Sequence, residues 1–121
     1  MADDTLEYVG LGLYWNELSV GQRFRTINRT ITETDLVNFI NATGLVEVIF
    51  TDVTFGAQDG AAIQGRPVPG VLCYAFVEGL LAQSTMQHTG LAMLETNLQV
   101  KGPTMVGDTI HVEVEVTAIR A

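Results

Sequence analysis

Cysteine occurs once, at Cys73, so no internal disulfide can form, and no neighbouring thiol or histidine completes a metal site or a nucleophilic pair around it. No metal and no other cofactor is expected, and a lone thiol suits a reducing interior. Basic residues are also sparse. Six lysines and arginines stand against fourteen carboxylates, a formal charge of −8. That sign repels phosphodiester backbones and anionic lipid surfaces, which argues against nucleic acid or a membrane as partner. No apolar run approaches the ~20 residues needed to span a bilayer. The opening Met1-Ala2-Asp3-Asp4 is acidic where a secretory or mitochondrial leader is basic, so the expected location is the cytoplasm. Internal repeats, low-complexity segments and linkers are absent too. With 47% hydrophobic residues among 121, the chain can bury one core, and residues 1–121 are expected to form a single domain.

The residues that are present can be read from hydrophobic period and punctuation. An irregular lead-in runs to Val20-Gly21. Gln22 to Thr32 has strand character, and its three arginines imply a face toward solvent or an anion. Thr32 or Thr34 then offers an N-cap oxygen, Glu33 and Asp35 suit the helix dipole, and Leu36, Val37, Phe39 and Ile40 form an apolar stripe that Gly44 stops. Leu45 to Phe50 is nearly continuous apolar sequence, read as a buried extended segment that runs into a loop punctuated by Gly56, Asp59 and Gly60. From Pro69-Gly70 to about Ser84 almost every helical face is apolar, and such a helix needs cover from other structure. Ala92 to Lys101 alternates apolar with polar, as does His111 to Val116, the period of half-buried strands. One all-round apolar helix beside amphipathic strands predicts an α+β layout, an antiparallel sheet curled about a central helix.

Three stretches in order carry a family likeness. Tyr14-Trp15, Val20-Gly21 and Arg29-Thr30-Ile31-Thr32-Glu33-Thr34-Asp35 entering Phe39 form the first. Gly65-Arg66-Pro67-Val68-Pro69-Gly70 entering the apolar helix is the second, and Pro103-Thr104-Met105-Val106-Gly107-Asp108-Thr109-Ile110 the third. Together they resemble the MaoC-like dehydratases, which include the (R)-specific enoyl-CoA hydratases, and this implies a hot-dog fold with the sheet wrapped around one long central helix. The resemblance also implies an acyl-CoA or acyl-carrier-protein thioester as ligand, and a homodimer or higher oligomer. By the same comparison the chain stops short of the family's last two strands, leaving an edge for a partner to cover.

The family's hydratases activate water with an aspartate and, five positions later, a histidine. Aligned on Phe39 and Thr43-Gly44, those seats fall on Leu45 and Phe50, and neither hydrocarbon can move a proton. Hydration also needs donors for the enolate oxygen, and these the backbone can supply: Gly70 and Val71 open the apolar helix, where free N–H groups and the helix dipole polarise a carbonyl. Alternatively, Gly70 only lets helix and sheet approach closely. Glu78, eight residues on, is a candidate base or nucleophile for thioester hydrolysis, as in some hot-dog thioesterases, if the apolar helix buries it; otherwise it faces solvent or a subunit boundary. Glu47 and Asp52 lie on the segment that bears the chemistry in active relatives, period two placing Glu47 on the face opposite Val48 and Phe50. Arg66 is positioned either to meet a CoA phosphate or to be solvated. His88 reads as a turn residue and His111 as an exposed strand residue. Two functions are compatible with these residues: an acyl-thioester-binding domain with impaired or no hydratase activity, or a hot-dog acyl-CoA thioesterase.

Overall fold

A computed structural model describes residues 5–55 and 65–120; the punctuation expected at Gly56, Asp59 and Gly60 lies outside them. In chain order come a 3₁₀ turn at Trp15–Glu17, strands β1 (Arg23–Arg25) and β2 (Arg29–Thr30), and helices α1 (Glu33–Thr43) and α2 (Val48–Thr51). Strand β3 (Pro67–Val68), helix α3 (Gly70–Thr85) and strands β4 (Thr104–Met105), β5 (Thr109–Ile110) and β6 (Glu113–Glu115) complete the order. The layout is α+β with antiparallel pairing, as the periodicity predicts. No described helix is long and apolar enough to cross a membrane.

Helix α1 starts at a reciprocal cap. The Thr32 hydroxyl accepts from the Asp35 N–H at 3.2 Å, and the Asp35 carboxylate accepts from the Thr32 N–H at 2.8 Å. It ends where Gly44 turns left-handed, φ +73°, and donates to the Ile40 carbonyl. Leu36 and Ile40, four apart on one face, are buried. With Ile31, Val68 and Leu72 they make the core, against which Phe39, Phe50, Phe76, Val106 and Ile110 pack.

Instead of one strand from Gln22 to Thr32, the chain forms two short ones. Arg23, Phe24 and Arg25 oppose Glu115, Val114 and Glu113, while Arg29 and Thr30 oppose Ile110 and Thr109. Four steps from Arg25 to Arg29 therefore face three from Glu113 to Ile110, so the first strand carries one extra residue, a β-bulge. Thr26 bridges it: its N–H donates to the Val112 carbonyl and its hydroxyl accepts from the Val112 N–H, both at 2.9 Å. The third ladder sets Pro67 and Val68 against Met105 and Thr104.

Two expectations of cover fail together. Helix α3 fully buries only Leu72 and Leu80, while Val71, Ala75, Glu78 and Gly79 are exposed. The strand expected over Ala92–Lys101 makes no ladder, and every residue from 91 to 101 is exposed. A helix is enclosed only when a sheet face closes over it, and among the described residues none does. The segment nevertheless runs back along α3. The Tyr74 hydroxyl reaches Thr96 Oγ1 at 2.9 Å and Met93 Sδ at 3.0 Å, and a Cβ on Gly70 would lie 3.0 Å from a Val100 methyl. The lead-in docks at the other end of α3, where Gly12 and Leu13 donate to the Gln87 and Thr85 carbonyls. Gly12 has no room for a side chain there, since its Cβ would fall 2.2 Å from the Thr85 oxygen.

Candidate functional site

The mouth of α3 is built by residues 66–72. Pro69, which has no N–H, occupies the N-cap and gives no side-chain cap. Leu72 donates to the Pro69 carbonyl at 3.0 Å, whereas the Gly70 and Val71 N–H groups meet no acceptor among the described residues. Two donors therefore point out of the helix end with its positive dipole behind them.

Arg66 leads into this mouth but is not a free cation. Its guanidinium pairs with Glu33 of α1 at 3.0 Å and only about a fifth of its side chain is exposed; its Nε is buried without a hydrogen-bond partner. The Arg66 carbonyl accepts from the Val106 N–H, tying the loop to the chain's third family landmark.

Residues 45–50 reach the mouth in a different form from the buried extended segment expected. Residues 45–47 have no regular structure, and Val48–Thr51 fold into α2, a single turn seated against β3, with residues 45–48 exposed. Period two does not apply to a helical turn. Phe50 turns inward and packs on the cluster containing Val68 and Leu72, while Leu45 stays on the surface just past the Gly44 cap. Glu47 caps α2, its Oε1 accepting from the Val48 N–H at 3.0 Å. Asp52 closes the same turn. Its Oδ1 accepts from the Thr54 hydroxyl at 2.6 Å and the Thr54 N–H at 2.9 Å, and these donors hold its carboxyl below the usual carboxylate range. Both carboxylates are exposed and engaged in local turns.

Of the two placements open to Glu78, burial in the helix or a face toward solvent or a subunit boundary, the structure has the exposed one. The residue borders an apolar groove of about 520 Å³ between α3 and residues 90–96, with Tyr74, Val77, Leu81, Met86 and Met93 among its walls. Eight residues of helix separate it from Gly70, about 12 Å along the axis.

The histidines lie elsewhere. His88 sits in the turn past the C-terminus of α3 at φ +67°, the whole helix away from Gly70. His111 pairs with Glu113 at 2.9 Å on the β6 side of the ribbon. Among the described residues no three His, Cys, Asp or Glu side chains converge as a metal cage requires.

The family model described as FAS1-like, dehydratase domain region, matches residues 19–121. The (R)-hydratase from A. caviae involved in PHA biosynthesis is 31% identical over 85% of this chain and 75% of its own, with a TM-score of 0.73. The chain belongs to the MaoC-like dehydratase and (R)-hydratase family. Further MaoC-like folds agree. R-hydratase PhaJ1 from Pseudomonas aeruginosa gives 26% identity, coverage of 88% and 66%, and a TM-score of 0.76. The MaoC-like dehydratase from Rhodospirillum rubrum gives 26%, 88% and 72%, and 0.74. The chain thus spans 66% to 75% of the length of these three hydratase-family structures. No curated protein matches it in sequence.

Within this MaoC-like chain, sequence reasoning missed a polar cluster beside the core. Arg29 grips Asp35 with two nitrogens at 2.9 and 3.1 Å, donates to the Thr30 carbonyl, and lies 4.7 Å over the Phe76 ring of α3. Burial pushes the Asp35 carboxyl up, but Arg29 and the Thr32 donors outweigh it and hold the group below its ordinary value. A signal for it exists in the sequence: Asp35 stands three residues after Thr32, the spacing of a reciprocal cap. One of the three arginines of the first strand is thereby used internally rather than offered to an anion.

Proposed function

We propose that this MaoC-like hot-dog domain binds acyl thioesters, of CoA or of an acyl carrier protein, at the mouth of α3 and has lost the hydratase chemistry of its relatives. One observation carries the reading: Phe50 is packed into the apolar cluster beside Leu72, so the seat assigned to the family's histidine is part of the core. Leu45 takes the aspartate seat, and a hydrocarbon pair can neither deprotonate water nor protonate an α-carbon. Glu47 and Asp52, the nearest substitutes, are committed to the α2 turn. What remains is carbonyl polarisation by the Gly70 and Val71 amides, which serves binding without proton transfer. Hydrolysis with Glu78 as base finds little support. About 12 Å of helix separates that carboxylate from the amides, whereas a base must lie within hydrogen-bond reach of its proton.

The same reading has the domain working as a homodimer or higher oligomer, with the sheet completed around α3 in the assembled state. Arg66 takes part by fixing the entry loop through Glu33, and CoA phosphates are met elsewhere or only weakly.

Thermal unfolding with and without saturated acyl-CoA, enoyl-CoA and free CoA tests the binding claim. A ligand selective for the native state, present at about a hundred times its Kd, stabilises by about 2.7 kcal/mol. For a chain of this size that raises Tm by roughly 10 °C. Stabilisation by the acyl and enoyl esters beyond that by free CoA is expected; equal effects, or none, would reject thioester recognition.

A further inference from the structure

Arg66 is held in an arrangement that stability does not explain. Its carbonyl accepts from the Val106 N–H, and in the ladder that sets Pro67 and Val68 against Met105 and Thr104 its side chain leaves on the same face as the core residue Val68. Only 22% of that side chain is exposed, and its Nε is buried with no acceptor among the described residues. The outer nitrogen of the guanidinium lies 3.0 Å from Glu33, whose side chain is 64% exposed. A pair with one partner in water adds little to stability. A buried donor without an acceptor costs more than such a pair returns.

What the arrangement does provide is a cation fixed by its stem at the entrance to α3, its head at the surface and neutralised by one carboxylate. We propose that Glu33 sets the specificity of the mouth. By holding Arg66 it withholds the cation from phosphate, so the site reads the acyl group and its pantetheine arm. It does not select for the phosphate ester at the end of that arm, the group that CoA and carrier proteins share. This rests on the thioester reading above and adds which part of the ligand is recognised.

Reach and charge agree. Arg66 stands four residues before Gly70, at most about 14 Å along the chain. From a thioester carbonyl to the phosphate of an extended pantetheine arm is the length of roughly five residues, about 16 Å. With the carbonyl at the Gly70 amide and the arm running back along the entry loop, the phosphate therefore arrives within the span of an arginine side chain. The other arginine beside α1, Arg29, is spent on Asp35 and the Thr30 carbonyl, and Arg23 and Arg25 oppose Glu115 and Glu113 on the ribbon. The net charge of −8 opposes an incoming phosphate, and an arginine already paired does not offset it.

Calorimetric titration of the full chain tests this with one acyl group carried on pantetheine, phosphopantetheine, CoA and a carrier protein. The parent binds the pantetheine, phosphopantetheine and CoA esters within about threefold of one another. Glu33→Gln removes the charge but keeps an oxygen for Arg66, so affinity for the three phosphate-bearing ligands rises about tenfold or more, while acyl-pantetheine stays within about threefold. Adding Arg66→Gln abolishes the gain. Glu47→Gln removes the same charge from another exposed residue near the mouth, frees no cation and gives no gain. A parent that prefers acyl-CoA to acyl-pantetheine tenfold, no gain in Glu33→Gln, an equal gain in Glu47→Gln, or a gain that survives Arg66→Gln would each overturn the proposal. A gain for acyl-CoA alone would place the contact on the nucleotide phosphates and overturn it as well. Acyl-pantetheine bound by the parent no better than pantetheine itself would defeat the thioester reading first; esters bound by the parent without a gain in Glu33→Gln would defeat this inference alone.

Discussion

Replacing Gly70 by alanine separates the two roles this glycine can have at the mouth of α3. The added methyl would lie 3.0 Å from a Val100 side-chain carbon, a few tenths of an ångström too close. Val100 is 64% exposed on a segment with no ladder partner among the described residues, so it can give way at little cost. Against that stands the helix preference of alanine over glycine, about 0.5 to 1 kcal/mol in a helix interior and less in a first turn. The variant should therefore unfold between the parent temperature and about 4 °C above it. If the Gly70 amide receives a thioester carbonyl, the methyl obstructs the approach and acyl-CoA affinity falls tenfold or more, about 1.4 kcal/mol or greater. Calorimetric titration with an acyl-CoA and a thermal melt on the same preparation measure both. A variant destabilised by about 2 kcal/mol and rescued by Val100→Ala would show that Gly70 serves packing, and unchanged affinity would remove the amide from the binding account.

Three further outcomes are expected at the site. Phe50→Ala removes a half-buried ring from the core and should cost about 2 kcal/mol, below the range of about 3 to 5 for fully buried phenylalanines; urea unfolding measures it, and a loss within about 0.5 kcal/mol would place Phe50 outside the core. Asp35→Asn keeps an oxygen for the Thr32 cap but loses the charge facing Arg29, costing about 1 to 2 kcal/mol at neutral pH. Because the Asp35 carboxyl is held below its ordinary value, its contribution is complete above the ordinary carboxylate range and is lost as pH falls through the lowered folded value. The difference between parent and variant should therefore shrink on acidification, and a difference that grew would reverse the assigned sign. Asp52→Asn removes the charge but keeps an oxygen for the local turn with Thr54 and should leave acyl-CoA affinity within twofold; a tenfold loss would return Asp52 to the site.

Local signals are legible wherever the determinant is local. Thr32, Asp35 and Gly44 set both ends of α1, and the glycine-proline landmark at residues 65–70 places the start of α3. Residues 45–50 resist such reading because a short apolar run fits a buried strand or a helical turn equally; Glu47 settles it by capping Val48. Cover cannot be read locally either. Alternation from Ala92 to Lys101 states that one face wants burial, not what provides it, and the apolar faces of α3 predict enclosure that the described residues do not supply. A buried Glu78 depends on that same premise, and the residue lies exposed. The Arg29–Phe76 contact joins residues distant in sequence, with no mark on either strand or helix.

Enoyl-CoA hydration by the parent chain, followed as loss of the enoyl absorbance of crotonyl-CoA, tests most directly whether Leu45 and Phe50 have removed proton transfer. Turnover at the uncatalysed rate is predicted, from a preparation that the acyl ester stabilises against heat. Saturable hydration abolished by Glu47→Gln or Asp52→Asn would contradict it.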